Sequence, residues 1–220
     1  MELISVFEND TIVLAYDYVE TLDDGRGYTC GLGFTTGTDD AYEVVKEYTA
    51  QEPNNALATF LPRLQQLANS GSGSTSGLTG FPAAWMQSAS DPVFKKIQEN
   101  VQDQNSYLPA LAHAKTVGVQ TALGITILYD TVWMHGDGND PDGTQALIDK
   151  TGKLTDEATW LASFLANRRA DLLNPADSST QAEWSMAVGR VDELSDLLKA
   201  KNFDLHGPFT VAHGYDVTVP

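Results

Sequence analysis

Glu8 and Asp24 are the residues with which chemistry could begin. Glu8 follows the apolar pair Val6-Phe7. Asp24 comes sixteen positions later, in Asp23-Asp24-Gly25-Arg26-Gly27, a glycine-rich turn. Two carboxyls on different elements, one beside apolar groups and one in polar surroundings, form the pair that glycoside hydrolysis requires. The apolar setting suits the acid that protonates a leaving oxygen, and the polar one suits the base that activates water. Asp-Gly is first of all a turn signal, so a helix end followed by an acidic turn fits the same residues.

Other chemistries find less support. Cys30 is the single cysteine, which rules out an internal disulfide; it reads as a small apolar strand residue. His113, His135, His206 and His213 lack metal-ligand spacing, and we expect neither a metal nor another cofactor. Asp137 to Gly143 superficially resembles a calcium loop. Pro141 falls where a ligand belongs and Asp142 where the sharp-turn glycine belongs, so we read a turn. The glycines between Gly27 and Gly37 do not follow a dinucleotide-binding spacing, and no G-x-S-x-G elbow is present.

Composition narrows the partners. The chain has 220 residues, 42% hydrophobic and 20% charged, with a formal net charge of −17. Such a chain can bury a sizeable core as one domain or two joined lobes. Thirty acids against thirteen bases argue against nucleic acid or an anionic membrane and suit a polycationic partner, although solubility alone can also select acidity. No apolar run reaches the ~18 residues of a membrane span.

The elements that must position the two carboxyls follow from periodicity. Residues 2 to 21 read as helix, interrupted near Asn9-Asp10-Thr11. The β-branched, aromatic and glycine-punctuated run 27–38 reads as two short strands. Helical patterns return at 40–51, 55–68 and 91–106, and residues 109–135 form the most apolar helix. Asn69 to Gly80 is a Gly/Ser-rich segment, read as a flexible surface loop where two lobes could connect. Phe203 to Pro220 reads as extended chain on the surface.

Asp130 shares a face of the apolar helix with Leu123, Ile127 and Met134, so it must be paired or protonated. Arg168 and Arg190 lie on or beside apolar faces of later helices. Two arrangements fit: a buried Arg168–Asp130–Arg190 cluster, or arginines that reach water while Asp130 faces a cleft.

The chain resembles glycoside hydrolase family 46 chitosanases. The resemblance starts at Phe7-Glu8-Asn9, Asp24-Gly25-Arg26-Gly27-Tyr28-Thr29 and Gly33-Phe34-Thr35-Thr36-Gly37-Thr38 with Asp40. It runs on through Tyr48-Thr49, Glu52-Pro53, Leu61-Pro62, Tyr129-Asp130, Met134-His135-Gly136 and Gly138-Asn139-Asp140-Pro141 to Phe164-Leu165, Arg168 and Arg190-Val191. It implies a mainly α (α+β), lysozyme-like, two-lobed fold. One catalytic domain would span 1–220, with a small β-containing lobe at about 25–75, a helical lobe from the remainder and a substrate cleft between them.

The resemblance further implies roles. Glu8 would be the general acid, Asp24 the general base and Thr29 the holder of the attacking water. Arg26 and Asp40 would bind sugar, Asp40 through a glucosamine amine. Tyr18, Glu20, Thr38 and His135 match further cleft positions. Asp130, Arg168 and Arg190 match a buried charge network behind the acid, which favours the cluster. Between Arg168 and Arg190 the chain is longer than the family pattern, and Asn174-Pro175 stands where an acid is expected; Asp177 or Glu183 could replace it.

The expected activity is endo-acting, inverting cleavage of β-1,4 linkages in chitosan by a metal-independent monomer. The opening Met1-Glu2-Leu3 has no basic leader, and a secreted form with its leader removed would begin this way. Two alternatives remain: a lysozyme-like hydrolase of peptidoglycan or chitin, and a non-catalytic chitosan-binding protein. Acetylated sugars lack the amine that Asp40 would bind, and a binding protein would release no reducing sugar.

Overall fold

The computed structural model describes residues 1–22 and 25–220, so Asp23 and Asp24 lie outside the described residues. The fold is mostly helical with a small antiparallel sheet. The chain forms two compact units, Met1–Val13 with Gln104–Pro220, and Leu14–Asp103.

The first unit opens with α1 (Glu2–Asn9), whose Leu3, Ile4, Val6 and Phe7 are buried. The interruption expected near Asn9-Asp10-Thr11 falls here, but the second helix expected beyond it to residue 21 does not form. Asp10 takes a left-handed conformation (φ 54°) and its N–H closes on Val6 O, a helix stop that a short polar side chain tolerates. Beyond it, in the second unit, the Tyr16 carbonyl accepts from Trp85 Nε1 (3.0 Å) and Gln98 Nε2 (3.1 Å), and Tyr16 Oη donates to Glu99 Oε1 (2.6 Å). Side chains thus take the place of a helical ladder along this stretch.

The second unit carries β1 (Val19–Thr21), β2 (Tyr28–Cys30) and β3 (Phe34–Thr35), then α2 (Asp40–Gln51), a 3₁₀ turn and α3 (Leu61–Ser70), and finally α4 (Phe81–Ser88) and α5 (Pro92–Gln102). Its core surrounds the fully buried Trp85, with Phe34, Phe81 and Phe94 rings 6.4, 5.8 and 4.9 Å away. The sheet is antiparallel in the order β1–β2–β3, and Glu20, Thr29 and Thr35 are directly opposed across it. Side chains opposed in a ladder share a face, so these three line one side while Cys30 and Phe34 enter the core from the other. The strand Val19–Thr21 has no sequence signal of its own, since three residues are too few for a period to declare itself.

The Gly/Ser-rich segment lies inside this second unit and is anchored there. Leu78 is buried and Arg63 Nε donates to Ser76 O at 2.8 Å.

The chain re-enters the first unit through α6 (Leu108–Val117), α7 (Ala122–His135), α8 (Thr144–Thr151), α9 (Glu157–Leu173), α10 (Gln181–Met186) and α11 (Val188–Lys199). The single apolar helix expected over 109–135 is two. Gly118 (φ +99°) closes α6 in the left-handed region, and the Thr121 hydroxyl caps α7 by accepting from Gly124 N at 3.0 Å. The C-terminal stretch forms a hairpin of β4 (Phe209–Val211) and β5 (Val217–Val219), which sends Val211 and Val219 into the same core as α7, α9 and α11. Among the described residues no helix is long and apolar enough to cross a membrane.

Gly118→Ala is expected to cost about 1–2 kcal/mol, because a Cβ is disfavoured at that positive φ. For a chain of this size that lowers Tm by roughly 2–8 °C. An unchanged Tm in calorimetry would remove the left-handed cap as the reason that α6 and α7 are separate.

Candidate active site

Glu8 sits at the end of α1, with its neighbour Phe7 turned into the core and its own side chain 36% exposed. Arg190 Nη2 donates to Glu8 Oε1 at 2.6 Å, and its guanidinium stands 5.3 Å from the centre of the Phe7 ring. Arg190 is in turn held by Asp130: Nε donates to Asp130 Oδ1 at 3.1 Å, and Nη2 lies 2.8 Å from the same oxygen. The other Asp130 oxygen takes Arg168 Nη1 at 2.6 Å, while Arg168 Nη2 reaches the Asp130 carbonyl at 3.3 Å. Asp130 and Arg168 are both 0% exposed, so neither side chain reaches water.

Three helices deliver these groups. Asp130 comes from α7, Arg168 from α9 and Arg190 from the first turns of α11. Burial alone would push the Asp130 carboxyl up, but the attraction of Arg190 and Arg168 outweighs it and holds the group below the ordinary aspartate value. Burial works against the Arg190 cation, yet Asp130 and Glu8 together raise its pKa.

His135 differs from the expectation that it binds sugar. Its side chain is 0% exposed. Nδ1 lies 2.8 Å from the Asp142 carbonyl, which can only accept, so that nitrogen carries the proton. Nε2 is then bare and accepts from Arg168 Nε at 3.2 Å. Burial, then Arg168, brings the His135 pKa down to about 3, which keeps the ring neutral. Asp171 Oδ2 stands 3.9 Å from Nδ1, too far for a hydrogen bond, and has no partner among the described residues. Burial raises the Asp171 pKa to about 6, with Asp142 adding to the effect.

The long segment after Arg168 packs on this histidine. Trp184, on α10, meets the His135 ring edge-on at 4.8 Å. Ala176 N and Asp177 N donate to the Asp142 carboxylate at 2.8 and 3.2 Å. Asp177 itself is exposed and receives Ser179 N and Oγ locally, and Glu183 is exposed. A continuous chain of contacts therefore runs from residues 176–177 through Asp142, His135, Arg168, Asp130 and Arg190 to Glu8.

The remaining expected residues belong to the second unit. Asp40, at the start of α2, accepts three bonds on Oδ1, from Thr35 N (3.0 Å), Ala41 N (2.8 Å) and the Thr38 hydroxyl; Oδ2 takes none of them. Burial raises its pKa despite those donors. Thr29 Oγ1 is buried with no hydrogen-bond partner among the described residues. Tyr18 Oη donates to Glu20 Oε2 at 2.6 Å, a bond that, with burial, pushes the phenol up to about 12. Arg26 is exposed on the turn after the undescribed Asp24.

The sequence profile of glycosyl hydrolase family 46 matches residues 2–209. The chain belongs to that family. It is therefore an enzyme of a hydrolase family. The chain is 48% identical to a chitosanase of Bacillus subtilis strain 168 over 219 residues, which is 96% of this chain and 79% of that one. A Streptomyces sp. N174 chitosanase is 39% identical, with 94% of this chain and 76% of the relative covered. Among solved structures, the native chitosanase of Bacillus subtilis MY002 superposes with a TM-score of 0.90 at 45% identity, covering 100% of this chain and 95% of the other. The family 46 chitosanase of Gynuella sunshinyii, solved in complex with chitotetraose, also reaches 0.90, at 43% identity and with the same coverage.

Tyr215, Asp142 and Asp171 carried no sequence signal for a place near these groups. The Tyr215 ring is 5.4 Å from Phe7, and its phenol is raised by burial against the opposing pull of Arg190. Only the fold brings the C-terminal hairpin to α1.

Two outcomes follow. Asp130→Ala leaves two buried guanidiniums without their counter-ion and is expected to cost about 3–5 kcal/mol in chemical denaturation. A loss below about 1 kcal/mol would contradict the pairing. His135 has a folded pKa below its unfolded one, so the unfolded chain gains a proton first as pH falls below ~6.5, and stability drops by up to about 1.4 kcal/mol per pH unit until the folded value near 3 is reached. His135→Gln removes that slope. An unaltered dependence of Tm on pH between 6.5 and 4 would show that His135 titrates normally.

Proposed function

We propose that the chain is an endo-acting, inverting chitosanase, with Glu8 as general acid and Asp24 as general base. The Arg190–Glu8 bond carries this reading. It fixes a carboxyl that is part-exposed on one side and anchored through Arg190 to a buried ion cluster on the other. Because Arg190 donates to Oε1, the proton that the acid delivers belongs on Oε2. The named chitosanases that align with nearly the whole chain support the substrate class. The net charge of −17 suits a polyamine chain.

In the proposed reaction Glu8 Oε2 gives its proton to the glycosidic oxygen as the bond from that oxygen to the anomeric carbon breaks. Asp24 takes a proton from a water whose oxygen attacks the same carbon from the opposite face, and the product anomer is inverted. The Thr29 hydroxyl, unpartnered among the described residues, is suited to hold that water. Asp40 meets a protonated sugar amine through Oδ2, while its three backbone and hydroxyl donors fix Oδ1. Arg26, Thr38 and the Tyr18–Glu20 pair bind sugar hydroxyls and amines. His135 acts only through Arg168.

Glu8→Gln and Asp24→Asn should each lower kcat on chitosan by about 10²–10⁴-fold with little change in KM. Either variant at the wild-type rate would end the assignment of that residue. Proton NMR of the first products should show the α-anomer, and a β-anomer would contradict inversion. Asp40→Asn should raise KM on chitosan about tenfold or more, the worth of a charge-assisted bond. Because burial raises the Asp40 pKa, wild-type KM should climb on acidification earlier than an ordinary aspartate would cause, and this rise should vanish in Asp40→Asn. An equal KM on chitosan would remove Asp40 from substrate binding.

A further inference from the structure

The Gly/Ser-rich segment, which its composition marks as a flexible connector, meets the turn that follows Asp24 backbone to backbone. A Cβ placed on Gly73 would collide with the Gly25 carbonyl group and come within 2.9 Å of Gly27 N. A Cβ on Gly27 would press on the Thr36 hydroxyl and lie 3.2 Å from Gly73 O. A Cβ on Gly37 would lie 2.8 Å from Arg26 O and 3.2 Å from Gly73 Cα. Three segments thus lie against one another here: the 25–27 turn, residues 36–37 just beyond β3 and the Gly/Ser loop. Among the atoms nearest these three glycines, the Thr36 hydroxyl at Gly27 is the one that belongs to a side chain.

Hydrogen bonds close two sides of this contact. Gly37 N donates to Arg26 O at 2.8 Å, and Tyr28 N donates to Thr36 Oγ1 at 3.0 Å. The Gly73 backbone closes a third. Neither Gly73 nor Gly37 has a left-handed φ, so their backbone angles are open to any residue and lack of space alone requires glycine. The obstacle at Gly73 is backbone, which cannot swing away as a side-chain tip can. The exposed Gly71 two positions earlier has nothing within 4 Å, and Gly77 further on meets the Arg63 side chain, so among these three loop glycines Gly73 alone has backbone as its nearest neighbour.

We propose that Gly73 is a positioning residue for hydrolysis: its bare backbone sets the location of the Gly25–Gly27 turn and, through it, of the general base. The inference rests on the reading of Asp24 as that base. Gly73 touches no reacting atom. Its effect is to hold the base to the small tolerance that proton abstraction from a positioned water demands. A one-residue gain of a methyl group must part the loop from the turn.

Gly73→Ala, assayed on a glucosamine hexamer, should lower kcat by about 10- to 100-fold, the scale of a displacement near 1 Å, with KM within about twofold. Ser74→Ala, on the exposed side of the same loop, should leave both unchanged. The decisive comparison places Gly73→Ala in an Asp24→Asn background, where it should cause no further loss because the group it positions is already disabled. Equal losses in both backgrounds, or no loss of kcat in the otherwise wild-type enzyme, would overturn the proposal. Failure of the Asp24 reading shows separately, as a wild-type rate in Asp24→Asn alone. Should Gly73→Ala not fold, Gly37→Ala presses on the Arg26 carbonyl of the same turn and should show the same dependence on Asp24; additive losses there would overturn the proposal equally.

Discussion

A single carboxylate, Asp130, holds two guanidinium groups inside a core made from α7, α9 and α11. Taking such charges out of water is costly, and the attraction between them repays the cost only when geometry is good and the remaining donors find acceptors. That condition explains much of the first unit. Arg168 spends its donors on Asp130, on the Asp130 carbonyl and on His135, and His135 is fixed in one tautomer by the Asp142 carbonyl. Arg190, held on Asp130 through Nε and Nη2, also donates to Glu8 from Nη2. Apolar replacements of buried ion clusters are often as stable as the ions they replace, so stability alone does not account for the cluster. What the ionic core provides is direction: a guanidinium locked on one side by Asp130 presents a fixed N–H to the other.

The second unit solves a different positioning problem with backbone rather than charge. Three short strands set Glu20, Thr29 and Thr35 in one row, and Asp40 joins that row by accepting from the Thr35 and Ala41 amides. Strands this short have little stability of their own. They are held by the Trp85-centred aromatic core on one face and by close backbone packing at Gly27, Gly37 and Gly73 at one end. The two units therefore carry different kinds of group, an arginine-held carboxyl in one and a row of hydroxyls and carboxylates in the other.

Some of this was legible in the sequence and some could not be. Asp130 in the middle of an apolar helical face announced a group that must be paired or protonated, and helical spacing made Arg168 and Arg190 candidate partners. Spacing alone left a cleft-facing Asp130 equally open, and the family resemblance favoured the buried cluster. Short strands within 27–38 were readable from local pattern, whereas Asp40 was singled out only by the family resemblance. The break at Gly118 was missed because both flanking helices are apolar, so the period carried across it. The break near Asn9-Asp10-Thr11 was readable, but the absence of a helix beyond it was not, because the hydrogen bonds that replace a helical ladder there come from Trp85 and Gln98, residues too distant in sequence for any window to include. The role of His135 was misread for a related reason. A histidine near a candidate site suggests a ligand contact, whereas Asp142, Arg168 and Trp184 enclose it on several sides. Composition misled most at Gly73, where small residues signal flexibility unless their neighbours are known.

Under the proposed roles, Glu8 works from a position set, through its contact with Arg190, by residues that do not touch it. Arg168 tests this most directly, since its hydrogen bonds run to Asp130 and His135 and none runs to Glu8, which is bonded to Arg190. Arg168→Lys keeps the charge but cannot reproduce the planar fork. The measurement is kcat on a glucosamine hexamer well below the variant's Tm, with circular dichroism confirming the folded state. The account predicts a fall of about tenfold or more with KM nearly unchanged, the signature of a misplaced acid. A folded Arg168→Lys enzyme with the wild-type kcat would contradict it.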